Sequence, residues 1–159
     1  MSTAPLSPSQ FGPQNEAKSA RILTLKKWGL LYARIALGGA FLSAVADRFG
    51  LWGKKGGWGN FANFTRYVAE VNFFMPALTI PFLAWTATAA ELFFGIALVL
   101  GIWPRWVAFG SALLLALFGT AMAISFGVKS PLDYSVFSAS AGALLLALNQ
   151  AGRDRKQEN

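Results

Sequence analysis

Glu91 and Arg34 are the residues from which chemistry would come, because each is an ionisable side chain set inside a long apolar run. Phe82 to Gly101 has the length of a membrane span, about 20 residues, and Glu91 near its middle is its single charge. A second apolar run, Trp28 to Ala46, contains Arg34. A carboxylate and a guanidinium paired away from water can hold an anion, or exchange a proton when one partner moves. The same pair can also do no more than fix the register of two helices. Helical spacing places Ala84, Ala87, Thr88, Gly95 and Leu98 on the face of Glu91 and turns Leu92, Phe93, Ile96 and Val99 elsewhere. The acid therefore faces a neighbouring helix, because small residues admit close approach and lipid offers a carboxylate no partner.

Arg34 needs compensation of its own. Its span holds seven Leu, Ile, Phe and Val residues, worth about −2 to −4 kcal/mol against roughly +2.5 to +3.5 for a central arginine. Either the side chain reaches the headgroups or it pairs with Glu91. Counting from opposite ends of two antiparallel spans at about 1.5 Å per residue brings Arg34 and Glu91 to similar depth, which makes that pair a geometric expectation. Secondary candidates are Asp47 and Arg48, where the first span ends, and Asp133, an acid at the mouth of a bundle. Asp133 also has a structural reading, because Ser130-Pro131-Leu132-Asp133 matches a helix start with an N-cap serine, a proline at the first position and an acid at the third.

The elements that position these residues follow from apolar patterning. With 55% hydrophobic residues, 13% charged, 14 Phe and 6 Trp in 159 residues, the chain is too apolar for a water-soluble domain. Four spans are expected, about 28–46, 82–101, 107–127 and 132–149, forming one all-α membrane domain over 28–149. Residues 1–27, with Pro5, Pro8 and Pro13 and a basic end at Arg21, Lys26 and Lys27, read as a disordered tail, and residues 150–159 as a polar one. Ala44-Val45-Ala46 mimics a signal-cleavage site, but Arg34, the long tail and three further spans favour a retained helix. Asn60 to Met75 repeats Phe61, Phe64, Val68, Val71 and Met75 at helical spacing, which predicts a short amphipathic interfacial helix between spans one and two. Span three is uncharged, and Ala108, Ala112, Ala116, Gly119 and Ala123 form a close-contact stripe on it.

Several function classes fall away. A chain without Cys or His supplies no thiolates for an iron–sulfur cluster, no imidazole for haem and none of the usual zinc ligands, so metal sites are not expected. Lys54 and Lys55 lie in a Gly-rich and Trp-rich turn that lacks the spacing of a phosphate loop. The net charge of +7 comes from residues beside hydrophobic spans, which points to anionic lipid rather than nucleic acid. Placing both tails and the Arg105 turn inside gathers Lys18, Arg21, Lys26, Lys27, Arg105, Arg153, Arg155 and Lys156, against Arg48, Lys54, Lys55, Arg66 and Lys129 outside. Both termini are therefore expected in the cytoplasm. Unburied small-residue stripes also suit a homo-oligomer.

Tyr32-Ala33-Arg34-Ile35-Ala36-Leu37-Gly38 and Phe41-Leu42-Ser43-Ala44, Ala90-Glu91-Leu92-Phe93-Phe94-Gly95, Leu98-Val99-Leu100-Gly101 and Pro104-Arg105 together resemble the DoxX-like family of small bacterial membrane proteins, over roughly Gly29 to Leu148. The resemblance implies a four-helix bundle in the bacterial cytoplasmic membrane. It also implies a role as a small non-catalytic subunit or anchor for a quinone-linked oxidoreductase, since the family looks similar to a membrane subunit of thiosulfate:quinone oxidoreductase and to a component of oxidative-stress complexes. Quinone is the ligand so implied, and a separate redox enzyme the partner. Where many members look like Gly-x-x-Lys at the end of span one, this chain has Ala-Val-Ala-Asp47-Arg48, which keeps a cation and adds an acid. The residues themselves leave two other classes open, a carrier of small solutes, protons or lipophiles using Arg34 and Glu91, and a purely structural membrane protein.

Overall fold

The computed structural model describes residues 13–154 of the 159. It contains six α-helices: α1 (Pro13–Arg48), α2 (Phe61–Val71), α3 (Ile80–Leu100), α4 (Pro104–Phe126), α5 (Lys129–Asp133) and α6 (Val136–Asp154). No strand occurs among the described residues. Three helical segments, Asn15–Arg48, Ala77–Leu100 and Pro104–Phe126, are long and apolar enough to cross a membrane, and Val136–Gln150 is a shorter apolar helix. The protein is thus an all-α, four-helix membrane bundle with α2 as the short amphipathic helix between the first and second spans.

The chain divides into two compact units at Tyr32. In the first, α1 is already helical from Pro13, where an irregular tail was expected up to residue 27. The physical reason is local: a proline in the first turn forfeits no intrahelical bond, Glu16 sits in that first turn, and residues 14–27 contain neither Gly nor Pro. Ile22, Leu23, Leu25 and Trp28 are exposed there. The rest of the expected tails, 1–12 and 155–159, lies outside the described residues.

In the second unit, from Ala33 onward, α1 and α3 meet at two glycines. A Cβ on Gly38 would come within 2.9 Å of the Gly95 carbonyl oxygen, and one on Gly95 within 2.9 Å of the Leu42 side chain. Neither position has room for a side chain, so the two glycines set both spacing and register. The C-terminus of α3 is closed by Gly101 at φ +77°, with the Gly101 and Ile102 amides donating to the Ala97 carbonyl at 2.9 and 3.0 Å. Pro104 then restarts the chain at the first position of α4.

α4 packs along α6 and against α3. Its expected small-residue stripe is realised at Ala108, Ala112 and Gly119, all buried, and Phe137 of α6 lies so close to Gly119 that a Cβ there would meet the ring at 2.7 Å. The Ser140 hydroxyl donates to the Ala112 carbonyl at 2.8 Å, a polar tie across the same pair. Lipid contacts the opposite surfaces, where Phe82, Trp85, Phe93, Leu100, Phe109 and Leu113 are exposed.

α2 covers one end of the bundle, against α3 and α4. Asn60 caps it by accepting from the Asn63 amide at 2.9 Å. Phe64, Val68 and Val71 point inward, and Phe64 and Val68 join Ile80 and Ala84 in a buried cluster. The helix stops at Val71, short of the predicted Met75. The Asn72 side chain donates back to the Val68 carbonyl at 2.9 Å, and Pro76 disfavours helical backbone at the residue before it. Met75 is consequently exposed. A second boundary differs too: Ser130 does not cap the fourth span. Residues Lys129–Asp133 form α5, whose N-cap is Val128, and α6 begins only after Ser135 at φ +55°.

The glycine contact gives a direct test. Gly95→Leu overfills the α1–α3 contact and should lower stability by about 1–3 kcal/mol, read as a fall in unfolding temperature in detergent. Leu92→Ala, on the exposed side of the same helix, should leave that temperature almost unchanged.

Candidate functional site

Arg48 is the last residue of α1, and its side chain turns into the bundle rather than out to water. It is 4% exposed and Glu91 is 3% exposed. Arg48 Nη2 donates to Glu91 Oε1 at 2.7 Å, and Nη1 donates to Thr88 Oγ1 at 2.9 Å. Thr88 holds its place by donating to the Ala84 carbonyl at 2.8 Å, one turn back on α3. Beneath the guanidinium lies the Phe64 ring of α2, with Cζ 3.7 Å from the ring centroid. Three elements thus fix one cation: α1 carries it, α3 supplies its anion and a hydroxyl, and α2 supplies an aromatic floor.

Glu91 occupies the face that helical spacing assigned to it. Ala84, Thr88, Gly95 and Leu98 are buried with it, whereas Leu92, Phe93, Ile96 and Val99 are exposed. Its partner, however, is Arg48 and not Arg34. Arg34 Nε donates to the Leu98 carbonyl at 3.0 Å and Nη2 to the Val99 carbonyl at 3.4 Å, so this residue caps the open C-terminal end of α3. Leu98 stands two turns beyond Glu91, about 10 Å along the axis, and the Gly38–Gly95 contact locks that offset. Arg34 also explains Gly101 a second time, since a Cβ there would overlap its guanidinium at 2.1 Å.

Asp47 acts on the loop rather than on the ion pair. Its Oδ2 accepts from the Gly57 and Trp58 amides at 2.9 and 3.1 Å, and Oδ1 lies 1.9 Å from where a Cβ on Gly56 would stand. The Gly-rich turn after α1 is thereby pinned under Trp58. That ring packs on Phe64 and Tyr67, with centroids 5.7 and 4.6 Å away. Asp133 is remote from all this: it forms an exposed i,i+4 pair with Lys129 at 2.6 Å, in place of the capping role predicted for it.

A cavity of about 730 Å³ adjoins the ion pair. Leu37, Phe41, Leu83, Leu114 and Phe118 are among its walls, and Arg48, Glu91, Tyr67 and Asn72 bring polarity to the end nearest α2. Burial, followed by the nearby Tyr134 and Glu70, pushes the Tyr67 phenol above its ordinary value, so it remains a neutral hydroxyl at physiological pH. The size and the mostly apolar lining are those of a small-molecule site. Among the described residues, no group of three or more Asp and Glu side chains could hold a metal ion.

The geometry defines a class: a small helical membrane protein with a buried ion pair on the wall of an apolar cavity. The DoxX family profile matches residues 29–128, and the chain belongs to the DoxX family. Comparison with curated proteins and with solved structures gives no match.

Which arginine serves Glu91 is measurable by unfolding in detergent. Arg48→Met leaves a buried carboxylate without its cation and should cost about 3–5 kcal/mol, part of which Arg48→Met/Glu91→Gln should restore. Arg34→Met combined with Glu91→Gln should instead be additive within about 0.5 kcal/mol. Coupling of Glu91 to Arg34 rather than to Arg48 would contradict the observed pairing.

Proposed function

We propose that this protein is a non-catalytic membrane subunit or anchor of a quinone-linked oxidoreductase, inserted in the bacterial cytoplasmic membrane with both termini inside. The observation that carries the reading is the apolar cavity of about 730 Å³ with Arg48 and Glu91 on its wall. A quinone is a polar ring on an apolar tail, and this cavity offers charged and hydroxyl groups at one end and aliphatic side chains along the remainder. The sequence contains no Cys or His to hold a redox centre of its own, so electrons would come from a partner enzyme. Membership of the DoxX family agrees with a small membrane-embedded role.

The same cavity favours a second reading, a lipophile carrier in which the ion pair opens as cargo passes. The two readings part on composition. Gentle extraction of the tagged chain from its native membrane, followed by mass spectrometry of proteins and lipids, should recover a stoichiometric redox enzyme together with quinone. Recovery of the chain alone, or only with copies of itself, would remove the subunit reading and leave the carrier, to be assayed in proteoliposomes.

A further inference from the structure

α2 forms a roof over one end of the cavity, and it is tied to three spans. Phe61 meets Trp85 of α3 with ring centroids 4.3 Å apart, and Phe49, just past the end of α1, stacks on Phe61 at 5.8 Å. On the other flank Tyr67 packs on both Trp58 and Phe126 of α4, at 4.6 and 5.9 Å, and the Ser125 hydroxyl donates to the Val71 carbonyl. The bonds from the Gly57 and Trp58 amides to Asp47 add a tie to α1. Of the lining residues that the roof and its loops contribute, Phe74 alone is exposed, while Phe64, Val68 and Val71 are buried.

The spans differ from the roof. Ala40 of α1, Thr86 of α3 and Leu117, Thr120 and Ile124 of α4 line the cavity and are also exposed on the outside of the bundle. A side chain that faces both stands at an opening. Counted at about 1.5 Å per residue from Arg48, Ile80 and Phe126, where their helices meet the roof, Ala40, Thr86 and Leu117 lie roughly 9–14 Å below it. That depth is inside a hydrocarbon layer of about 30 Å, so the openings face lipid. Toward the hairpin α3 and α4 close on each other, with Phe94 so near Gly110 that a Cβ there would meet the ring at 2.7 Å.

We propose that the cavity is filled from the side, by a neutral lipophile dissolved in the bilayer that passes between the spans at the level of Ala40, Thr86 and Leu117, while α2 stays in place as a roof. The inference rests on reading the cavity as a ligand site, and it adds where the ligand comes from. A charged or strongly hydrated solute would have to shed its water in hydrocarbon to use such an entrance. The route therefore selects ligands before the site does, and it needs no movement of the roof.

The test is photolabelling of the full chain in proteoliposomes, with attachment sites mapped by mass spectrometry. The probes are a matched pair of carbene precursors, 3-trifluoromethyl-3-phenyldiazirine, which dissolves in the bilayer, and its ring carboxylate, which stays in water. Phe41 and Val68 are buried on the cavity wall, so a label reaches them through the cavity. The neutral probe should attach to both, and the carboxylate at least about tenfold less, because a charge is costly to bring into hydrocarbon. Ala40→Trp combined with Leu117→Trp narrows the openings and should cut attachment at Phe41 and Val68 severalfold, while the exposed Phe93 keeps its labelling. Equal attachment by the carboxylate, attachment of neither probe, or indifference to the double substitution would overturn the proposal. The wild-type comparison decides the matter even where the double variant does not fold. Labelling from the bilayer without a copurifying enzyme would sink the subunit reading and leave this route standing, and a copurifying enzyme with labelling by the carboxylate would do the reverse.

Discussion

Taking a guanidinium and a carboxylate out of water costs several kcal/mol for each ion, and their attraction repays that only when the remaining polar atoms are also met. At Arg48 and Glu91 this requirement reaches across the second unit. Thr88 and Phe64 must stand where the guanidinium can use them, so the rotation of α3 and the seat of α2 are both tied to one side chain. The height of Arg48 against α3 is tied in turn to Gly38 and Gly95, whose missing side chains allow the two backbones to touch. Phe64 and Val68 of α2 also join Ile80 and Ala84 of α3 in one buried cluster, so the residue that floors the guanidinium is itself held by apolar packing. The apolar bundle thus makes the ion pair expensive, and the ion pair makes the bundle specific.

Much of this is legible in sequence because lipid imposes a strict sorting of side chains. The four spans follow from the length of the apolar runs, and the lipid-facing Leu92, Phe93 and Ile96 and the inward Glu91 from helical periodicity. The arginine that serves Glu91 does not. Depth counted from the ends of apolar runs assumes that two helices start level, whereas register is set where backbones touch. The signal was present in Gly38 and Gly95, which on antiparallel helices place Arg34 beside Leu98 and Arg48 near Thr88. Arg34 escaped for a related reason: a cation that caps the end of a different helix leaves no local spacing to read. Asp133 shows the opposite failure, in which a motif suited to a helix start was absorbed into the preceding short helix.

The end of α1 also gives physical content to the presence of an arginine, and not a lysine, at position 48. Lysine presents a compact charge and could satisfy Glu91, but it has no planar face to lay on Phe64 and no fork with which to hold Thr88 and Glu91 together. Arginine does all three at once. It also keeps a further donor, Nε, in a fixed direction within the same plane, which a rotating ammonium would not. The preceding acid complements this. Asp47 draws the amides of Gly57 and Trp58 onto the end of α1, so the loop that bears Trp58 is anchored one residue away from the cation whose cavity it helps to wall.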